Sequence, residues 1–284
     1  MEKYYQFAGL EFAINLPNGK NFASEGVLAP FAVESVVQPH RFDCQLVDEL
    51  TPPEGECIHT DGDFRVYKQG ACQMRYMGAV LEHWDAAYLR VAHMGKSHQV
   101  ELKKQTYGDG IRAKAVLTAM SVEHLLAQAG SFVFHSSYVE WEGGAILFTA
   151  PSGTGKSTQA ELWKKLRGGR IINGDRAAVR LENGQVLADG VPFAGSSPYC
   201  ENRSLPLKAI VYLAQAPVTT IHRLQGVRAF ARVWEGVSIN VWDKEDVAKV
   251  SATIEKLLQQ VPVYYLPCTP DESAVAALEQ QLRK

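Results

Sequence analysis

The stretch that most constrains this chain is residues 145–166, AILFTAPSGTGKSTQAELWKKL. An apolar, β-prone run leads into PSGTGKST, and a segment with helical apolar spacing follows at once. A phosphate chain is anionic and needs many hydrogen-bond donors at short range. Backbone N–H groups at a helix N-terminus supply them, and the helix dipole adds to the attraction. Side chains would obstruct that approach, so the loop needs glycine, and Gly153 and Gly155 meet the need. Lys156 can then reach the β- and γ-phosphates, and the Ser157 hydroxyl can serve a bound magnesium ion. Ser152, Thr154 and Thr158 complete the expected cradle. The pattern departs from G-x-x-x-x-G-K-[ST] at one place, where Ala150 stands for the first glycine. The competing reading is a serine- and glycine-rich turn that binds nothing. The position of the motif, after a strand and at the start of a helix, favours a loop for ATP and Mg2+.

Such a loop needs a metal carboxylate nearby. In RIINGDRAAVR, Asp175 ends an apolar strand about twenty residues after Lys156, where a site of this kind holds magnesium directly or through water. The other reading is a turn aspartate, since Gly-Asp is also a turn signal. Asn173 and Arg176 flank it and read as structural. His135, in FVFHSSYVEW, precedes the loop strand, and a hairpin would carry it beside the loop. A histidine among apolar neighbours is commonly a hydrogen-bonded core residue, so both readings stay open. The remaining histidines form no constellation.

Upstream, the first hundred residues have a different texture. YYQFAGLEFAINL, RFDCQLVDEL, FRVYKQGACQMRYMG and AAYLRVAHM alternate apolar and polar positions, and PNG, TPPEGE and DGD separate them. A β-rich domain over residues 1–108 is expected, serving as an accessory or as an acceptor-recognition surface. YGDG marks a boundary, and a single helix over IRAKAVLTAMSVEHLLAQAG would open a second domain, 109–284. There, AAVRLENGQVLADG reads as a hairpin with Asn-Gly at its tip, LKAIVYLAQ as a buried strand, and DESAVAALEQQLRK as a closing helix capped by Asp271. The net charge of −2 at pH 7 gives no electrostatic case for nucleic acid or a membrane surface. Five scattered cysteines, with no CxxC, argue against a disulfide framework or a zinc site. MEKYYQFAGLEF has neither a basic n-region nor a long apolar run, and a cytoplasmic location is expected.

Taken together, FHSSYVEWEGGAILFTAPSGTGKSTQAELWKKLRGGRIINGDRAAVRL resembles the core of the bacterial HPr kinase/phosphorylase family. That family carries a histidine on the strand before its loop, a G-x-S-G-x-G-K-S loop and an acidic pair after the next strand. PSGTGKS and His135 fall on the first two, whereas Gly174-Asp175 keeps one carboxylate of the pair. GVPFAGSSPYCENRSLPLKAIVYLAQAP is similar to HPr-kinase-like proteins found beside peptide-modification genes, among them a kinase of lasso-peptide precursors. The resemblance covers about residues 130–284. It implies an α/β fold, a mixed-sheet P-loop kinase domain of the HPr kinase/PEP carboxykinase type, preceded here by the smaller β-rich domain. It also implies ATP-dependent transfer of phosphate to a serine hydroxyl.

The expected function is therefore a kinase for a hydroxyl, a serine of a peptide or small protein, with His135, Lys156 and Asp175 at the reaction centre and Ser157 and Asp175 on the metal. The missing carboxylate argues against the reverse, dephosphorylating activity and leaves the base unassigned between Asp175 and His135. A small-molecule kinase and a nucleotide-gated interaction module remain as alternatives, and association with further copies of the chain stays open.

Overall fold

The computed structural model describes residues 2–17, 20–80 and 87–284. The chain divides into two compact units, Met1–Val122 and Glu123–Lys284. The boundary lies beyond the expected Gly108, for a local reason. Strand Ile111–Arg112 pairs in parallel with Phe22–Ser24. Helix Ala113–Met120 buries Ala115, Val116, Ala119 and Met120, packing on elements of the first unit such as Ala87–Met94. The expected single helix is two, because Ser121 adopts φ 51°, a left-handed conformation that ends the first helix, and Val122–Gln128 starts anew.

Among the described residues of the first unit, nine strands form one sheet in the order Ala32–Val33, Glu2–Phe7, Leu10–Asn15, His40–Val47, Ser97–Lys103, Ala87–Met94, Cys72–Val80, Phe64–Gln69 and Glu56–Asp61. Three of these, Ala32–Val33, Glu56–Asp61 and Ser97–Lys103, fall outside the stretches that read as strands. The first hairpin turns on Ala8-Gly9, both at positive φ, which matches the twist of the strands it joins. Alternation then sends Tyr5, Phe7, Phe12 and Phe42 inward, with Phe7 stacked on Phe12 at 4.5 Å between ring centroids.

The second unit is mixed α/β. Its loop strand Gly144–Thr149 is buried throughout. Ala145 and Leu147 enter one apolar cluster and Ile146 and Phe148 another, so both faces of the sheet are covered. This strand pairs antiparallel with Ser137–Trp141 across the two-residue turn Glu142-Gly143, and parallel with Ser204–Gln215. Ser204–Gln215 in turn pairs parallel with Val263–Cys268 and, at its other end, antiparallel with Gln185–Gly190. The helix after the loop, Lys156–Arg167, buries Ala160 and Trp163 in the cluster with Phe148, alongside Val275 and Leu278 of the closing helix Glu272–Leu282. Val233 of helix Gly226–Trp234, and Val250 and Ile254 of helix Lys244–Leu258, cover the opposite face. The hairpin Arg176–Glu182 to Gln185–Gly190 turns on Asn183-Gly184, and Asp271 caps its helix by accepting from the Ser273 N–H at 2.8 Å, both as expected. FVFHSSYVEW is not one strand. It bends at Ser136 between Phe132–His135 and Ser137–Trp141.

Candidate functional site

The loop runs from the end of a buried strand through two glycines into a helix. Thr149 ends the strand, and Gly153 and Gly155 turn the backbone at φ 77° and 120°. A Cβ at either glycine would meet nothing within 4 Å, so it is the dihedral angles that call for glycine, and the bare backbone faces open space. Helix Lys156–Arg167 starts at Gly155, where no side chain caps the first turn. Its free N–H groups are the donors an anion would take. Ala150 keeps an ordinary backbone and is buried in the apolar cluster, which is why alanine serves where the motif has glycine.

Lys156 is 8% exposed, and its Nζ donates to the Ala150 carbonyl at 3.0 Å. Burial pulls its ammonium below the ordinary lysine range, and the nearby charge of Asp175 opposes the shift. Ser152, Gly153, Ser157 and Thr158 are exposed, and Thr154 is half-buried.

Asp175 sits in the turn between Arg170–Asn173 and Arg176–Glu182. Its Oδ1 lies 3.3 Å from His135 Nε2 and its Oδ2 3.3 Å from Arg176 Nε. The bond from His135, then the charge of Arg176, hold its carboxyl below the usual range, against the effect of burial. The aspartate is thus an anion paired with His135 and Arg176, and its charge reaches Lys156. His135 is held from three sides. Its N–H donates to the Gly236 carbonyl at 2.7 Å, its carbonyl accepts from Thr149 Oγ1 at 3.0 Å, and its ring meets Asp175. The bend at Ser136 has the same purpose, since the Ser136 N–H donates to the Asp175 carbonyl at 3.0 Å and Ser137 Oγ to the Gly174 carbonyl at 2.9 Å. Asn173 is fully buried and structural. Its Oδ1 accepts from the N–H groups of Asp175 and Arg176, and its Nδ2 donates to the Val191 and Phe193 carbonyls.

Three features of this site were not placed here by any sequence motif. Residues 191–200 close over Asp175, with Gly195 at φ 55°, so near that a Cβ there would lie 3.0 Å from Asp175 Cγ. Gly174 abuts Ser197, whose Oγ would be 2.1 Å from a Cβ at position 174. Beside the loop open two clefts, of about 620 Å³ along Thr158, Gln159, Cys268 and Pro270, and about 500 Å³ along Pro151, Ser152, Tyr212, Arg232 and Tyr265. In the second, the Arg232 guanidinium lies 4.5 Å from the centroid of the Tyr212 ring and bonds Glu235.

The oxygen donors Ser157 and ionised Asp175 suit a hard cation that keeps several waters and takes one or two carboxylates, as Mg2+ does. A second cluster, His124, Asp243 and Asp246, has a different character. Buried Asp246 is ringed by donors from His124, Gln128 and Asn240, which complete its hydrogen bonding within the protein. In the first unit His40, His98 and His93 bond in series at 3.0 and 2.9 Å, ending on Ser121 at 3.2 Å. Burial pushes His40 down to about 4. No helix among the described residues is long and apolar enough to cross a membrane.

A family model described as "SynChlorMet cassette protein ScmC" matches residues 100–282. No curated protein matches. Among solved structures, the Hpr(Ser) kinase/phosphatase from Coxiella burnetii is similar at 12% identity over 53% of this chain and 97% of its own, with a TM-score of 0.33.

Proposed function

The chain belongs to the SynChlorMet cassette ScmC family, and from that premise we propose that it is an ATP-dependent kinase transferring the γ-phosphate to a hydroxyl, a serine of a peptide or small protein. The observation that carries this reading is the pairing of His135 with Asp175 at 3.3 Å, beside a buried loop lysine. A loop that only held nucleotide would need the glycines, Lys156 and Ser157. A histidine fixed on three sides against an ionised carboxylate supplies what transfer needs in addition.

The loop N–H groups and Lys156 bind the triphosphate and offset the charge that develops on the transferred group. Ser157 and Asp175 would hold Mg2+, which when bound supplies further charge neutralisation on the phosphates. The acceptor hydroxyl approaches the His135–Asp175 pair, which takes up its proton as its oxygen bonds to phosphorus. Position 174 offers no second carboxylate, and Ser197 fills its space, which supports a forward kinase without dephosphorylating activity. The location proposed is cytoplasmic.

The test is phosphotransfer from labelled ATP to the peptide encoded in the same cassette, with Lys156→Ala as control. Label on a serine of the peptide, lost in the control, supports the reading. Binding of MgATP without transfer to a peptide or a small hydroxyl compound would make the protein a nucleotide-gated module.

A further inference from the structure

We infer that Ser197 is a phosphoryl acceptor in cis, so that the protein modifies its own loop when a nucleoside triphosphate occupies the site. The inference rests on the nucleotide reading above and adds a modification site to it. Position 174, next to Asp175, has no side chain, and the volume a side chain would take is filled by Ser197. Its Oγ and Cβ would lie 2.1 and 2.7 Å from a Cβ at 174. A seryl hydroxyl is therefore lodged against Gly174, the residue that precedes the site's carboxylate-bearing Asp175.

The segment that carries the hydroxyl is fixed at both ends. Val191 and Phe193 accept from buried Asn173 at 3.0 and 3.1 Å, and the Glu201 N–H donates to the Ile172 carbonyl at 3.0 Å. From the loop helix, Lys164 donates to the Tyr199 hydroxyl, which donates to Glu161, each at 2.8 Å. Within the segment the Tyr199 N–H donates to Ser197 Oγ at 3.2 Å, which leaves the hydroxyl its own proton to give. Gly195 brings the backbone onto Asp175 on the side of Oδ2. Positioning of this kind raises the effective concentration of an acceptor far above what diffusion from solution provides.

The step balances without a further reagent. Ser197 Oγ bonds to the γ-phosphorus as the bond from phosphorus to the β–γ bridging oxygen breaks. The nucleoside diphosphate leaves with that electron pair, and the hydroxyl proton passes to Asp175 Oδ2 of the His135–Asp175 pair. The phosphoserine formed carries a charge of about −1.5 to −2 beside Asp175, so it opposes a second nucleotide and limits the modification to one group per chain.

The experiment is incubation of the full chain with MgATP, followed by intact mass and phosphopeptide mapping, with melting temperature in MgATP recorded in parallel. Expected are the mass gain of one phosphoryl group, its location on Ser197, and a first-order rate constant unchanged on tenfold dilution of the protein. Ser197→Ala should abolish the label while still melting cooperatively and gaining stability from MgATP, and Ser196→Ala should keep the label. Label at Ser196 or elsewhere, or a rate that falls with dilution, overturns the cis assignment. MgATP stabilisation with no label on the parent overturns it while leaving the nucleotide reading intact, and absence of both label and stabilisation overturns the two together.

Discussion

Replacing Gly174 with alanine isolates the contact between the Asp175 turn and the segment that covers it. The new Cβ would fall 2.1 Å from Ser197 Oγ and 2.7 Å from Ser197 Cβ. Rotating the hydroxyl removes the first clash but not the second, so the backbone of the segment has to shift. Overpacking of this kind costs about 1–3 kcal/mol, or roughly 2–12 °C in the melting of a unit this size. The backbone at 174 is outside the left-handed region, so alanine carries no conformational penalty of its own. In a Ser197→Gly background both clashing atoms are gone. The same Gly174→Ala change should then cost nothing and could gain about 0.4–1 kcal/mol by restricting the unfolded chain. A double-mutant cycle read by thermal or urea unfolding should therefore give a coupling of about 1–3 kcal/mol. Equal losses in the two backgrounds would refute the placement of Ser197 against Gly174.

Asp175→Asn removes the anion that His135 and Arg176 face. It should raise the magnesium concentration needed for turnover and lower the rate by orders of magnitude, and full activity at low magnesium would return Asp175 to an ordinary turn residue. His135→Asn should lower kcat about 10²–10⁴-fold with little change in melting temperature. A large fall in melting temperature with full activity in the folded remainder would make the histidine a core residue. In the first unit, His40 is pushed from 6.5 to about 4. The unfolded chain therefore binds the proton first, and stability should fall as pH drops from about 6.5 to about 4, by at most about 3–4 kcal/mol and by less once solvent screens this part-exposed ring. His40→Gln should flatten that dependence, and an unchanged slope would show that the burial of His40 is not its cause.

The elements carrying the strongest local chemistry were legible in the sequence. The loop, its flanking strand and helix, the Asn183-Gly184 hairpin and the Asp271 cap each depend on residues within a few positions of one another. Features set by distant contacts were not. Ser121 takes a left-handed backbone with no glycine to announce it, so one apolar-periodic segment became two helices and the unit boundary moved. Ser136 reads as one more strand residue, and its bend follows from bonding the backbone of Asp175. The packing of Gly195 and Ser197 on the Asp175 turn joins residues some twenty positions apart, and no periodicity encodes it. His135, left open between two readings, was brought to Asp175 by the pairing of Phe132–His135 with Arg176–Val179.

The central claim is that the loop at 150–158 binds a nucleoside triphosphate through Lys156, and thermal unfolding with and without MgATP tests it directly. A ligand that binds only the folded state at a hundred times its Kd adds about 2.7 kcal/mol, which for a unit of this size is a rise of roughly 5–11 °C. The parent should show that rise, and Lys156→Ala should melt near the parent's ligand-free temperature and gain nothing from MgATP. A variant that gains as much as the parent would contradict the account.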